Sequence, residues 1–442
     1  MKNILLILFF LASITILAQP VTLEKGSTLE IKQSDSGQIT YTVIQAPVVK
    51  TPIGPVFTDA KPLFAKDVKI PGYIFPVDLG GKQDITLNEA WPTGIALNGL
   101  TGAVRITNEG TVIVGSSTPA YTFSTTHGIQ SLGATNDVTI AGKSFAEPII
   151  IKAGANQSGI GWNATGTGSR LNVSNVIFDN VGYADILASS GSGKEYGEIN
   201  LSFLRSKGSK TKTGEFIYIG NNVTSIPTRK ATIQHVAAMD IAREFVQVKW
   251  ADNFSISNFT GVNIGFANGA GQNHAIQIEA STGTVKDFVI QNVPRGMNIF
   301  SHGDSIRNGA IAFTIDGGYV GDAKEAFPND PHLNGKPIVI DGIDFMKLNP
   351  GNAKYILAVR ESTADVYVIN CKFPPGTESV FLDQRIKGYT NKLIGGLNDH
   401  GNSVSTTPVP TFISTDVNSV DFLKLSEPYH IKKGRGSLTP KP

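Results

Sequence analysis

Leu171-Asn-Val-Ser-Asn175-Val-Ile-Phe178 and Phe254-Ser-Ile-Ser-Asn258-Phe-Thr260 spell one phrase twice. In each, an apolar residue is followed two and five positions later by others, around an Asn. Ten stretches carry the pattern, with Asn108, Gly142, Asn175, Phe203, His235, Asn258, Asn292, Gly317, Gly342 and Asn370 at the marker position. Alternating apolar residues precede each marker, for example Phe288/Ile290, Ile338/Ile340 and Val366/Val368. Alternation with period two predicts strands with one buried face. From Asn175 to Asn370 the markers fall roughly every 28 residues, a spacing that signals a solenoid. A lone strand cannot cover its apolar face, so consecutive repeats must stack and bury it together.

Working outward, a repeat body is expected over residues 98–398. Residues 19–97 form an N-terminal β cap module, with strand candidates at Thr22–Lys32 and Gly37–Gln45, the Pro-rich stretch from Pro47 to Pro76, and a short helix at Thr86–Pro92. Residues 399–442 form a C-terminal cap and a poorly ordered tail. Insertions at 263–273 and 319–336 interrupt the repeat, and such loops collect on one side of a solenoid.

Met1-Lys-Asn3, the apolar run Ile4–Leu17 and Ala18-Gln19 describe a signal peptide over residues 1–18. About 14 apolar residues fall short of the ~20 that span a bilayer, so the chain is expected to be exported, to the periplasm, the cell surface or outside the cell. No later run spans a membrane. The single Cys371 cannot form an internal disulfide and occupies an inward slot after Asn370. A net charge of +2 with no basic cluster argues against nucleic acid as a partner.

A second strand recurs in each repeat: Glu215–Ile219, Phe245–Lys249, Ala275–Glu279, Met297–Phe300, Tyr355–Arg360 and Val380–Asp383. Coil length, short strands and Asn at the tight turn resemble the right-handed parallel β-helix superfamily typified by pectate lyases. That resemblance implies an all-β, right-handed parallel β-helix of about ten coils, with Asn side chains hydrogen-bonded along one turn. It is specific for fold and weak for activity, because lyases, hydrolases, tailspikes and adhesins share it.

If the second strands stack in register, alternation turns Ile217/Ile219, Val246/Val248, Ile276/Ile278 and Met297/Ile299 inward. Phe216, Tyr218, Gln247, Lys249, Gln277, Glu279, Asn298 and Phe300 then form outward columns, flanked by His274 and His302 and continued by Arg360, Asp383 and Arg385. Aromatic faces among amides and mixed charge suit a polysaccharide or glycan, whose rings are apolar and whose edges are hydroxyls. Amide columns also stabilise stacked sheets with no ligand at all.

Lys249 admits two roles. As a base it would take the proton α to a uronate carboxylate, with Arg360 neutralising the enolate and His274 or His302 as alternative acid/base. As a cross-strand partner of Glu279 it would be an ion pair worth about 0.2–1 kcal/mol, held protonated. The expected function is a polysaccharide lyase acting on a uronate polymer. The alternatives are a non-catalytic glycan-binding surface protein and a glycoside hydrolase. Ser301-His302-Gly303 and Arg385-Ile386-Lys387 resemble polygalacturonase motifs, but the Asp-Asp pair that would supply acid and base is missing. The sequence requires no cofactor; Ca²⁺ on Glu279, Asp304 and Asp322 stays open, and no Cys/His metal cluster exists.

Overall fold

The computed structural model describes residues 28–33, 39–44, 62–64, 83–90, 94–97, 103–115, 128–134, 137–164, 169–190, 196–208, 213–221, 230–251, 253–266, 273–301, 303–321, 336–348, 355–360, 365–376, 378–383, 393–394, 401–405 and 408–427. The expected leader, residues 1–18, lies outside them. The described chain is all-β, with no helix and hence no helix long and apolar enough to cross a membrane.

Two units divide the chain, Met1–Ile53 and Gly54–Pro442. In the first, Thr28–Gln33 and Ile39–Ile44 pair antiparallel with Thr28 opposite Ile44, overlapping the two strand candidates.

The second unit is a long sheet of parallel pairs. One ladder stacks Val138–Ala141, Ser169–Asp179, Tyr196–Lys207, Lys230–Ile241, Phe254–Ile264, Gly283–Phe300, Ser305–Gly321, Ile338–Lys347 and Val366–Ile369. A second stacks Ile129–Ala134, Ile160–Ala164, Ile186–Ser190, Ile217–Asn221, Val246–Lys249 and His274–Glu279, then the C-terminal halves of the two longest strands, then Tyr355–Arg360. The chain visits the first ladder, then the second, and returns one rung further on. Parallel pairing begins earlier than residue 98: Gln83–Leu87 already pairs with Val104–Asn108. Thr86 and Leu87 therefore lie in a strand, where a helix is expected from the sequence.

Inward positions stack as the alternation requires. Val173, Leu201, Ile233, Ile256, Val285, Ile306, Ile340 and Val368 form one register column, each no more than 1% exposed. Cys371 is fully buried, in the inward slot expected for it.

The corner after the first-ladder strands is where the markers belong. Register places Asn175, Phe203, His235, Asn258, Asp287, Asn308, Gly342 and Asn370 level with one another, and all eight have left-handed backbone, with φ between 50° and 67°. Asn and Asp tolerate that region best. Phe203 and His235 adopt it too, and their rings stack at 4.9 Å and 6°.

Two expected markers are corrected here. Asp287 and Asn308 occupy the corner in place of Asn292 and Gly317. Asn292 sits at the following corner, where Asn292 Nδ2 donates to Asn263 Oδ1 (2.7 Å) and Asn263 Nδ2 donates to Asp240 Oδ1 (2.8 Å). Both corners hold Asn or Asp in left-handed backbone, so spacing alone does not distinguish them. Side chains bond from rung to rung at both, since Asn308 Nδ2 donates to Asp287 Oδ1 at the first corner.

Gly318 lies level with Met297 in the second ladder, at φ 113°. A Cβ there would sit 1.8 Å from the Met297 carbonyl oxygen. Gly318→Ala is expected to cost roughly 1–3 kcal/mol from backbone strain before the clash is counted. A urea midpoint unchanged from wild type would refute this.

Residues 408–427, where a cap is expected, run along the flank of the first ladder; the expected tail beyond residue 427 lies outside the described residues. Val417, Phe422 and Leu423 pack on Ile177 and Met239, while Val409, Phe412 and Leu425 lie against Val289, Ala310, Ala312 and Met346. Arg205, 2% exposed, donates through Nη1 to Ser419 O (2.8 Å) and lies over the Phe145 ring.

Candidate functional site

The second ladder carries the expected columns. Tyr218, Gln247, Gln277, Asn298 and Tyr319 are successive register partners. Lys249, Glu279 and Phe300 form a second column two residues on. At ~4.8 Å per strand, Tyr218 and Tyr319 stand about 19 Å apart along the ladder. Both tyrosines, Gln277, Asn298 and Phe300 are partly exposed.

Phe216 does not join them. It is fully buried, edge-on to Phe178 (6.3 Å) and Phe245 (5.1 Å), so its assignment to ligand contact is corrected. The alternation breaks at the bend entering each second-ladder strand, which turns Phe216 and Phe245 both inward.

The same break turns the preceding residue onto the polar face. Counting back from Ile217↔Val246 and Val246↔Ile276 sets Glu215, Glu244 and His274 level; Arg295 and Asp316 continue the row. Arg243 spans the two glutamates, with Nη1 2.8 Å from Glu215 Oε1 and Nε 3.3 Å from Glu244 Oε2. Glu215 and Glu244 are 1% and 2% exposed. Burial, reinforced by Glu215 against the opposing pull of Arg243, pushes the Glu244 carboxyl up to about 7. Burial first, then Glu279 and Glu215, raises the Tyr218 phenol to about 12. Burial and then Glu215 raise Tyr183 as well.

Sequence reasoning missed Glu215, Glu244, Arg243, Arg295, Asp316 and Tyr319. The usable signal was a repeated phrase, Glu215-Phe-Ile-Tyr218 and Glu244-Phe-Val-Gln247, whose shared Glu-Phe marks a shared bend.

Of the other candidates, Lys249 Nζ lies 3.0 Å from Glu279 Oε2, the ion-pair alternative. Gln277 Nε2 also donates to Glu279, and Gln247 Nε2 does so at 3.4 Å. Gln247 is 2% exposed, so it supports the column from beneath and does not reach a ligand. His274 is 7% exposed, its ring edge-on to Tyr319 at 5.5 Å. Buried against Tyr319, it is poorly placed for the acid/base role expected of it. Arg295 binds Asp316 at 2.7 Å, donates to the Tyr319 hydroxyl and lies over that ring. Among the described residues none donates a hydrogen bond to the buried Asn298 Oδ1. His302 and Arg385 lie outside the described residues, as do the side chains of Arg360 and Asp383.

For Ca²⁺, Glu279 is engaged with Lys249, and Asp304 is 1% exposed and accepts from the Gly283 N–H at 2.9 Å. Asp322 lies outside the described residues. Among the described residues no group of three or more His, Cys, Asp or Glu is arranged to hold a metal ion.

Comparison with protein-family models, with curated proteins and with solved structures finds no match.

Proposed function

We propose that this chain is an exported right-handed parallel β-helix of about ten coils whose second-ladder face binds a polysaccharide. The observation that carries the reading is the five-rung column Tyr218–Gln247–Gln277–Asn298–Tyr319, with a partly exposed aromatic at each end and the partly exposed amides Gln277 and Asn298 between. Ring faces of a sugar polymer stack on aromatics, and its hydroxyls exchange hydrogen bonds with amides. A site spread along the solenoid suits an extended ligand, as the concave faces of repeat proteins do. Export rests on the N-terminal basic, apolar and small-residue sequence.

Binding is favoured over uronate elimination for a chemical reason. Lys249 Nζ lies 3.0 Å from Glu279 Oε2, so the amine is already engaged by a partner that the ladder register fixes and is not presented to a substrate C–H. The first test is affinity electrophoresis of the full chain through gels containing single polysaccharides. Tyr218→Ala and Tyr319→Ala should each weaken binding about tenfold, equivalent to about 1.4 kcal/mol. Retardation unchanged in both variants would remove the column from the ligand site.

A further inference from the structure

We infer that the ligand of this face is a neutral polysaccharide and not a polyuronate, a conclusion that rests on the glycan-binding reading and narrows it. Three cations lie among the columns, and each already holds a carboxylate. Lys249 is 3.0 Å from Glu279, Arg295 is 2.7 Å from Asp316, and Arg243 is 2.8 Å from Glu215 and 3.3 Å from Glu244. A uronate carboxylate is bound by charge-assisted or bidentate contacts to Arg or Lys. Here it would have to displace an acidic partner whose position the ladder register fixes.

The local balance points the same way. Four carboxylates face three cations, so the described part of the face is neutral or acidic, although the whole chain carries +2. Partly exposed on this face are Tyr183, Tyr218, Gln277, Asn298, Phe300 and Tyr319, together with the carboxylate-paired Arg243, Lys249 and Arg295 and with Asp316. Burial first, and then Glu279 and Glu215, raise the Tyr218 phenol. A neutral sugar ring can stack and hydrogen-bond here without breaking an ion pair, whereas a uronate carboxylate seeking Lys249, Arg295 or Arg243 must displace the acidic partner.

The experiment measures the full chain at one fixed ionic strength against a neutral β-glucan, a neutral mannan, polygalacturonate and alginate. Binding to at least one neutral polymer, with Kd tenfold or more below that for either polyuronate, is the expected result. Equal or tighter binding to a polyuronate overturns the inference while leaving glycan binding intact. Absence of binding to all four overturns glycan binding itself, and the inference falls with it. Glu279→Gln removes the partner of Lys249 and should raise polyuronate affinity about tenfold; no gain in a folded variant counts against the inference. Should that variant fail to fold, Asp316→Asn offers the same exchange at Arg295.

Discussion

Deleting the chain from Pro408 onward is expected to lower unfolding stability by at least the cost of its best-buried single residue. Leu423 is 1% exposed, and a buried Leu→Ala change costs about 2–5 kcal/mol. The deletion removes Val417 and Phe422 as well, and exposes Ile177, Met239, Val289 and Ala310 beneath them. The consequence reaches further than the missing contacts. A stacked ladder is quasi-one-dimensional, each rung supported only by its neighbours. The flanking segment packs with Ile177 and Met239 in one cluster and against Val289, Ala310, Ala312 and Met346 in another, which couples rungs that share no direct pairing. The deletion should therefore broaden or split a single urea transition and reduce its slope, whereas Leu423→Ala should shift the midpoint with the slope unchanged. The uncovered apolar strip should also promote self-association, visible by light scattering. A deletion variant with wild-type midpoint and slope would show that the segment merely decorates the sheet.

That segment was the part of the fold least legible in the sequence. Val409, Phe412, Val417, Phe422 and Leu423 carry no period, because a strap follows the surface it lies on and not a repeat of its own. Its track gave a mixed signal: Ala237, Ala310 and Ala312 are small and neutral, but Ile177, Met239, Val289 and Met346 are large apolar residues at outward positions, which marks a covered strip. The inward columns were legible throughout, since a one-residue slip would expose every apolar side chain of a strand. Corner register was legible only in part. Asp287 and Asn308 resemble Asn292 in preference, and the unbroken strands Gly283–Phe300 and Ser305–Gly321 run through two corners each. On the polar face, period-two reasoning placed Tyr218, Gln277 and Asn298 but failed at the bend, where it turned Phe216 outward and passed over Glu215. The Lys249–Glu279 contact was legible because both residues close strands that pair in register.

Glu244 should give the polar face a pH-dependent stability. Burial lifts its carboxyl to about 7 when folded, against an ordinary 4.5, so between those limits the folded state holds a proton that the unfolded state has released. Stability then falls as pH rises, by about 1.4 kcal/mol per unit, is fully present below about 4.5 and is lost above about 7. Over that window the change is about 3 kcal/mol. Glu244→Gln keeps the shape and hydrogen-bonding edge but cannot ionise, so it should match wild type near pH 4 and exceed it near pH 8. Subtracting variant from wild type at each pH cancels other titrating groups, among them buried Asp304, whose carboxyl burial also raises. Parallel urea midpoints for the two proteins from pH 4 to 8 would show that Arg243 already compensates the charge. The same ionisation adds a negative charge beneath Arg243, so binding of an acidic polymer, weak at pH 5, should weaken further at pH 8, while a neutral polymer should bind alike at both.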